Sequence, residues 1–181
     1  MEERERLRLL IKERALRVSD QPIFKLSSGR LSRFYIDLKQ VTFEPQSLFL
    51  LGGVLYEAIR GLKPEGAGGL TLGADPLAYA VSLVSYLKGE PIKPFVVRKE
   101  PKMHGTGRQV EGLLKQEDRV VVLEDVMTTG TSALKAVEAC KREGYKVLCV
   151  YAVVDREEGG RENLQREGVE VHSLFKVSEL L

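Results

Sequence analysis

Apolar and polar positions follow two periods along this chain, and each change of period marks an element. Val120-Val121-Val122-Leu123 is a run of four apolar residues, three of them β-branched, as expected of a strand buried on both faces of a parallel sheet. From Ala133 to Arg142 the spacing turns helical, with Ala133, Leu134, Val137 and Cys140 on one stripe. The same reading predicts a helix over 46–61, then a glycine-rich turn and a short buried strand at Leu70-Thr71-Leu72. Pro76 suits the first turn of a further helix that runs through Leu77, Ala80, Val81 and Val84. Lys93 to Val97 and Tyr145 to Val154 are strands, 161–167 one or two helical turns, Val169 to Leu174 a short edge strand and 177–181 a closing turn. Residues 2–17 set Leu7, Leu10, Ile11 and Leu16 on a charged background, an amphipathic helix packed on its own domain or on a partner subunit. Ser27-Ser28-Gly29-Arg30 is turn chemistry and Phe34-Tyr35-Ile36 a β-prone run, so this segment forms a hairpin or edge element over the main sheet. Strands and helices in this order give an α/β fold with a mostly parallel central sheet flanked by helices.

A chain of 181 residues can bury one sizeable core, so a single domain over 1–181 is expected. It divides into an N-terminal helix and hood segment over 1–40 and a core over 41–181 with a flexible loop at 99–113. A net charge of +2 with interspersed signs is too small for a dedicated nucleic-acid or membrane binder. No apolar run approaches a membrane span, and Met1 to Arg6 is no signal peptide. Cys140 and Cys149 fall in apolar patterns and read as buried reduced thiols of a cytoplasmic protein, and the two His and two Cys form no metal cluster of familiar spacing.

Candidate chemistry gathers where strands end. Glu124-Asp125 follows the Val120 strand, and Thr128-Thr129-Gly130-Thr131-Ser132 leads into the next helix. Such a loop lets backbone N–H groups approach an anion at a helix N-terminus. The acid pair would repel a bare phosphate, so it makes sense holding sugar hydroxyls or a cation while the loop takes the phosphate. Gly73-Ala74 forms a second strand-to-helix junction, open to an oxyanion through its main chain or else a plain turn. The stretch 99–113 has no hydrophobic period and carries Lys99, Lys102, His104 and Arg108, with Arg98 just before. A long connection of this kind is either functional or disordered, and a basic one can close over an anionic substrate. Arg156 follows the strand ending at Val154, where the usual fate of an arginine is an exposed loop.

The run from Val120 to Ser132 resembles the phosphoribosyl-pyrophosphate (PRPP) signature of type I phosphoribosyltransferases. Phe24, Leu26, Ser28, Gly29, Ser32, Tyr35 and Asp37 resemble the N-terminal hood of the orotate-specific members. Arg98, Lys99, Lys102, His104 and Gly105 resemble their catalytic loop. The resemblance implies the type I phosphoribosyltransferase fold and transfer of phosphoribosyl from PRPP to orotate, in pyrimidine biosynthesis. It puts the ribose hydroxyls on Glu124 and Asp125, and the 5-phosphate on Thr128, Thr129, Gly130, Thr131 and Ser132. The pyrophosphate falls to Gly73, Ala74, Arg98, Lys99, Lys102 and His104. Orotate falls to Thr128, Tyr35 and Arg156, whose planar fork suits a carboxylate. Lys102, Asp125 and His104 are the implied catalytic residues. Mg2+ is implied as cofactor, held mainly through PRPP with Glu124 and Asp125 as protein ligands. A homodimer sharing loop 99–113 between subunits is implied as well, with small-molecule substrates and neither nucleic acid nor membrane as partners. Some members carry lysine where this chain has Ser27 and Gly73. Two alternatives stand beside this one: a phosphoribosyltransferase for a purine or other base, and a PRPP-sensing regulator that binds nucleic acid.

Overall fold

In the computed structural model, which describes residues 2–26, 29–101 and 107–181, the chain opens with α1 (Glu3–Leu10) and a π-helical turn, Ile11–Ala15. Four short strands follow: β1 (Leu16–Val18), β2 (Phe24–Lys25), β3 (Leu31–Ser32) and β4 (Phe34–Ile36). Then come α2 (Lys39–Thr42), α3 (Pro45–Ile59), β5 (Gly66–Leu70), α4 (Asp75–Leu87), β6 (Lys93–Val97), β7 (Val110–Gly112) and β8 (Arg119–Met127). The last part holds α5 (Thr131–Arg142), β9 (Lys146–Asp155), α6 (Gly160–Arg166) and β10 (Val171–Lys176).

Six strands form one sheet in the order β10-β9-β8-β5-β6-β7, parallel throughout except for β7, which runs antiparallel to β6. β8 is central and buried on both faces, as its apolar run predicts. Val121 and Leu123 join the core under α1, α3 and α4, while Val120 and Val122 join the core under α5 and α6. Opposite facing of successive residues is the ordinary consequence of a pleated strand. The N-terminal helix packs on its own domain, with Leu7 and Ile11 fully buried in the first of these cores. β2 pairs with β3 as a small hairpin, and β1 pairs with β4, so the hood is two short ribbons. No helix among the described residues is long and apolar enough to cross a membrane.

Several expectations are corrected. The N-terminal helix does not reach residue 17, because Leu16–Val18 leaves it to pair with Phe34–Ile36. The strand expected at Leu70-Thr71-Leu72 is Gly66–Leu70, built from the glycines read as a turn. Its neighbours leave no room for a side chain at two of these glycines: a Cβ at Gly68 would stand 1.9 Å from the Phe95 carbonyl oxygen, and one at Gly69 2.2 Å from that of Leu123. The end of the 99–113 stretch is not loop, since Val110–Gly112 hydrogen-bonds along β6. The edge strand comes two residues later than expected, at Val171–Lys176. Finally, β8 carries Glu124 and Asp125 inside the strand rather than past its end, because the β9 ladder continues to Met127–Asp155.

Candidate active site

From β5 the chain crosses to β6 on one side of the sheet, and from β8 it crosses to β9 and β10 on the other. β5 and β8 are neighbours, so the order reverses between them. In such sheets the crevice outside the carboxyl ends at this reversal is where ligands bind. Glu124 and Asp125 lie near the end of β8, and Gly73-Ala74 follows β5. The two junctions touch, because a Cβ on Gly73 would stand 2.5 Å from the Asp125 carboxylate. Gly73 is thus a place where backbone meets an acid at a distance no other residue allows. Thr71 at this turn donates from its backbone N–H to the Val97 carbonyl at 2.9 Å, joining the turn to the end of β6.

Glu124 is 9% exposed. It lines a cleft of about 490 Å3 together with Val126, Met127 and Thr128 to Ser132. Burial pushes its carboxyl well above the usual range, and the charge of neighbouring Asp125 adds to the shift. Asp125 is partly exposed and abuts Gly73. A ribose diol offers donors to just such acceptors.

The hydroxyl loop is held by its neighbours. Gly130 has φ 80° and precedes the first residue of α5, so the helix starts without a side-chain cap, and its first residues, Thr131 and Ser132, line the cleft. Thr129 and Thr131 hydroxyls lie 3.0 Å apart, and Asn163 Nδ2 donates to the Thr129 carbonyl at 2.9 Å. A Cβ on Gly160 would meet the Thr128 carbonyl at 2.8 Å, so the loop rests directly on the start of α6. Asn163 and Gly160 have no sequence signal that points to this support.

Arg156 does not follow the usual exposed course. It is 3% exposed, and its N–H donates to the Met127 carbonyl at 3.0 Å. Its guanidinium pairs with Glu158 at 2.7 Å, donates to Ser32 Oγ at 3.3 Å, and lies 4.3 Å from the centre of the Phe34 ring. The hood therefore reaches the end of β9. Tyr35, one residue on, stacks on Phe24 with ring centres 6.1 Å apart. Ser32 is one of the residues matched to the hood, whereas the sequence gives Phe34 and Glu158 no site role; the alternation of β4 decides which aromatic faces the arginine.

Lys39, at the start of α2, was also not singled out. It pairs with Asp37 Oδ1 at 2.7 Å, which holds its ammonium above the usual lysine range, and Asp125 contributes a smaller part of that shift. Arg98 continues from β6, with its side chain 3.5 Å from Glu111 of β7, and Lys99 beside it is exposed. Lys102 and His104 lie outside the described residues, as does Ser27. Of the other expected site residues, Gly73, Ala74, Glu124, Asp125, Thr128, Thr129, Gly130, Thr131 and Ser132 gather around the β5–β8 reversal, and Arg156 with the hood adjoins them at the end of β9. His172 stacks on Tyr151 and sits 2.7 Å from Glu170, away from this site.

No family model matches the chain. It is 62% identical over 181 residues to an orotate phosphoribosyltransferase of Aquifex aeolicus (strain VF5), covering 100% of this chain and 99% of that one. It is 48% identical over 160 residues to one from Rhodopseudomonas palustris (strain TIE-1), covering 86% of each. Among solved structures it is similar to the Mycobacterium tuberculosis H37Rv orotate phosphoribosyltransferase in complex with PRPP, with a TM-score of 0.80, 36% identity and 99% of both chains covered.

Proposed function

The chain belongs to the orotate phosphoribosyltransferase family, and on that premise we propose how its own residues carry the reaction. It transfers the phosphoribosyl group of PRPP to orotate, giving orotidine 5-phosphate and pyrophosphate, a step of pyrimidine biosynthesis. The C–O bond between the anomeric carbon and pyrophosphate breaks, and a bond from that carbon to N1 of orotate forms. Positive charge develops on the ribose ring and negative charge on the leaving group. Glu124 and Asp125 accept from the ribose 2- and 3-hydroxyls, and Asp125 lies beside the electron-poor ring. Thr128 to Ser132 and the first N–H groups of α5 take the 5-phosphate. Binding energy from that remote group thereby orients the reacting carbon. The main chain at Gly73 and Ala74, with Arg98, Lys99, Lys102 and His104, receives the pyrophosphate and offsets its growing charge. Arg156 takes the orotate carboxylate, with Thr128 and Tyr35 completing the base site. Orotate arrives as an anion, so no strong general base is required.

Mg2+ is part of this proposal. Among the described residues no group of three or more His, Cys, Asp and Glu can cage a metal, while Glu124 and Asp125 supply two carboxylates. That donor set fits a cation that is held by one or two carboxylates plus substrate phosphates. When bound it supplies charge neutralisation for the departing pyrophosphate.

A homodimer is supported by Tyr79, Leu83, Tyr86 and Leu87, large apolar residues exposed together on α4. Such a patch on a small protein marks an interaction surface. A cytoplasmic setting agrees with Cys140 and Cys149, both buried and unbridged.

The observation that carries the assignment is the joining of the acid pair and hydroxyl loop to a buried arginine under the hood. Release of pyrophosphate from PRPP, measured with orotate and with hypoxanthine, with and without Mg2+, tests it. Release that needs orotate and Mg2+ is the expected result; release with hypoxanthine but not orotate would overturn it.

A further inference from the structure

Arg156 is a buried charge, and removing such a charge from water is tolerated only where it is paired. Its partner sits two residues on in the same loop. Arg156 Nε donates to Glu158 Oε1 at 2.9 Å, and Nη2 lies 2.7 Å from the same oxygen. The other oxygen, Oε2, accepts from Arg30, which belongs to the turn between β2 and β3. The loop that carries Glu158 is itself pinned: the Glu157 N–H donates to Asp155 Oδ1 at 2.9 Å, and the Ser178 N–H donates to Glu157 Oε2 at 3.0 Å. Phe34 covers one face of the Arg156 guanidinium and Ser32 Oγ accepts from its Nη2. Two arginines thus meet one carboxylate, and the three side chains together leave one positive charge over. One further carboxylate is the group that this excess takes, and its planar geometry matches a fork that is already oriented.

We propose that Glu158 is a positioning residue for orotate: it fixes the Arg156 fork for the base's carboxylate and, through Arg30, latches the β2–β3 hairpin over the base. This rests on the reading that Arg156 receives that carboxylate. A merely structural ion pair would not need the exposed Arg30, which comes from a separate element and reaches the oxygen that Arg156 leaves over. PRPP binds through the strand ends at the β5–β8 reversal, so a defect in the latch falls on orotate alone.

Steady-state kinetics with each substrate varied in turn test the proposal. Glu158→Gln keeps the shape but removes the charge, and is expected to raise the KM for orotate by about tenfold or more, the worth of one charge-assisted hydrogen bond. The KM for PRPP should stay as in the parent, while the melting temperature falls because the buried Arg156 charge loses its partner. Glu158→Asp should recover part of the loss, and Arg30→Met should raise the orotate KM less, with no added effect on top of Glu158→Gln. An unchanged orotate KM in Glu158→Gln would overturn the proposal. So would equal rises in both KM values, which would make the residue structural. If Glu158→Gln fails to fold, Arg30→Met alone decides on the same two KM values. Arg156→Lys separates the two layers: if it leaves the orotate KM unchanged the underlying reading fails too, whereas a raised value beside a normal Glu158→Gln sinks only the latch.

Discussion

Glu124 is a carboxyl kept from water beside a second carboxyl, and its protonation is therefore coupled to folding. Burial first, and the charge of Asp125 second, raise its pKa above the ordinary 4.5. The folded chain then binds a proton more readily than the unfolded one, so this residue's contribution to stability falls as pH rises from that value upward. Glu124→Gln, which mimics the neutral form, is expected to melt higher than the parent at neutral pH without ligand or metal. The gap should close as the pH is lowered toward 4.5, and melting curves that coincide at every pH would contradict the burial argument. The same variant should lose affinity for PRPP, since an amide accepts more weakly from the ribose diol than a carboxylate. Gly73 makes a second argument at this scale. Its missing Cβ leaves room for the Asp125 carboxylate, and Gly73→Ala should lower kcat/KM for PRPP by about tenfold or more, because overpacking of about 1–3 kcal/mol falls on a site acid. A variant with parental kinetics would show that the contact is idle. Glu124 and Asp125 were legible as candidates because two carboxylates follow an apolar run, although they lie inside β8, whereas Arg156 was named only through the resemblance, since its residue type alone pointed to an exposed loop. Phe34, Glu158 and Lys39 were not, because their roles follow from which face of β4 turns inward and from a loop that folds back on itself.

At the scale of elements, the misread β5 explains how the crevice is built. Gly-Ala-Gly-Gly reads as a turn by composition, yet between β6 and β8 the backbone of its neighbours leaves no room for a Cβ at Gly68 or Gly69. Tertiary packing overrides local propensity there. Gly68→Ala should therefore destabilise the protein by about 1–3 kcal/mol or more, seen as a lower urea midpoint with an unchanged slope. Tolerance of the alanine would mean that the strands can move apart freely. Helices α3, α4 and α5 were legible, because a long apolar period survives its context whereas a five-residue strand with three glycines has no period to show. β7 was hidden for a related reason: Val110-Glu111-Gly112 pairs with β6 through its backbone, and three residues hold too little pattern to announce a strand.

At the scale of the molecule, reversal of strand order between β5 and β8 brings residues from separate parts of the chain to the carboxyl ends of neighbouring strands. Order of elements in the sequence predicts a parallel sheet, but not which two strands become neighbours; that pairing decides the site. The exposed apolar residues of α4 would supply the surface for the proposed second copy, and the proposed sharing of loop 99–113 would give it a function. Leu83→Glu, on the exposed face of α4, should convert the dimer to a monomer in sedimentation with loss of turnover. Mixing Lys102→Ala with Arg156→Ala subunits should restore part of the activity that each lacks alone, because one of the two sites in a mixed dimer would be intact. Absence of any recovery in demonstrably mixed dimers would mean that the loop serves its own subunit. The most direct test of the central claim, that these strand ends make one pocket for a sugar and a base, is a crystal structure with PRPP and orotate bound. The account predicts the ribose hydroxyls at Glu124 and Asp125, the 5-phosphate at Thr128 to Ser132 and the orotate carboxylate at Arg156. A sugar held away from Asp125, or a base that leaves Arg156 with Glu158 alone, would contradict it.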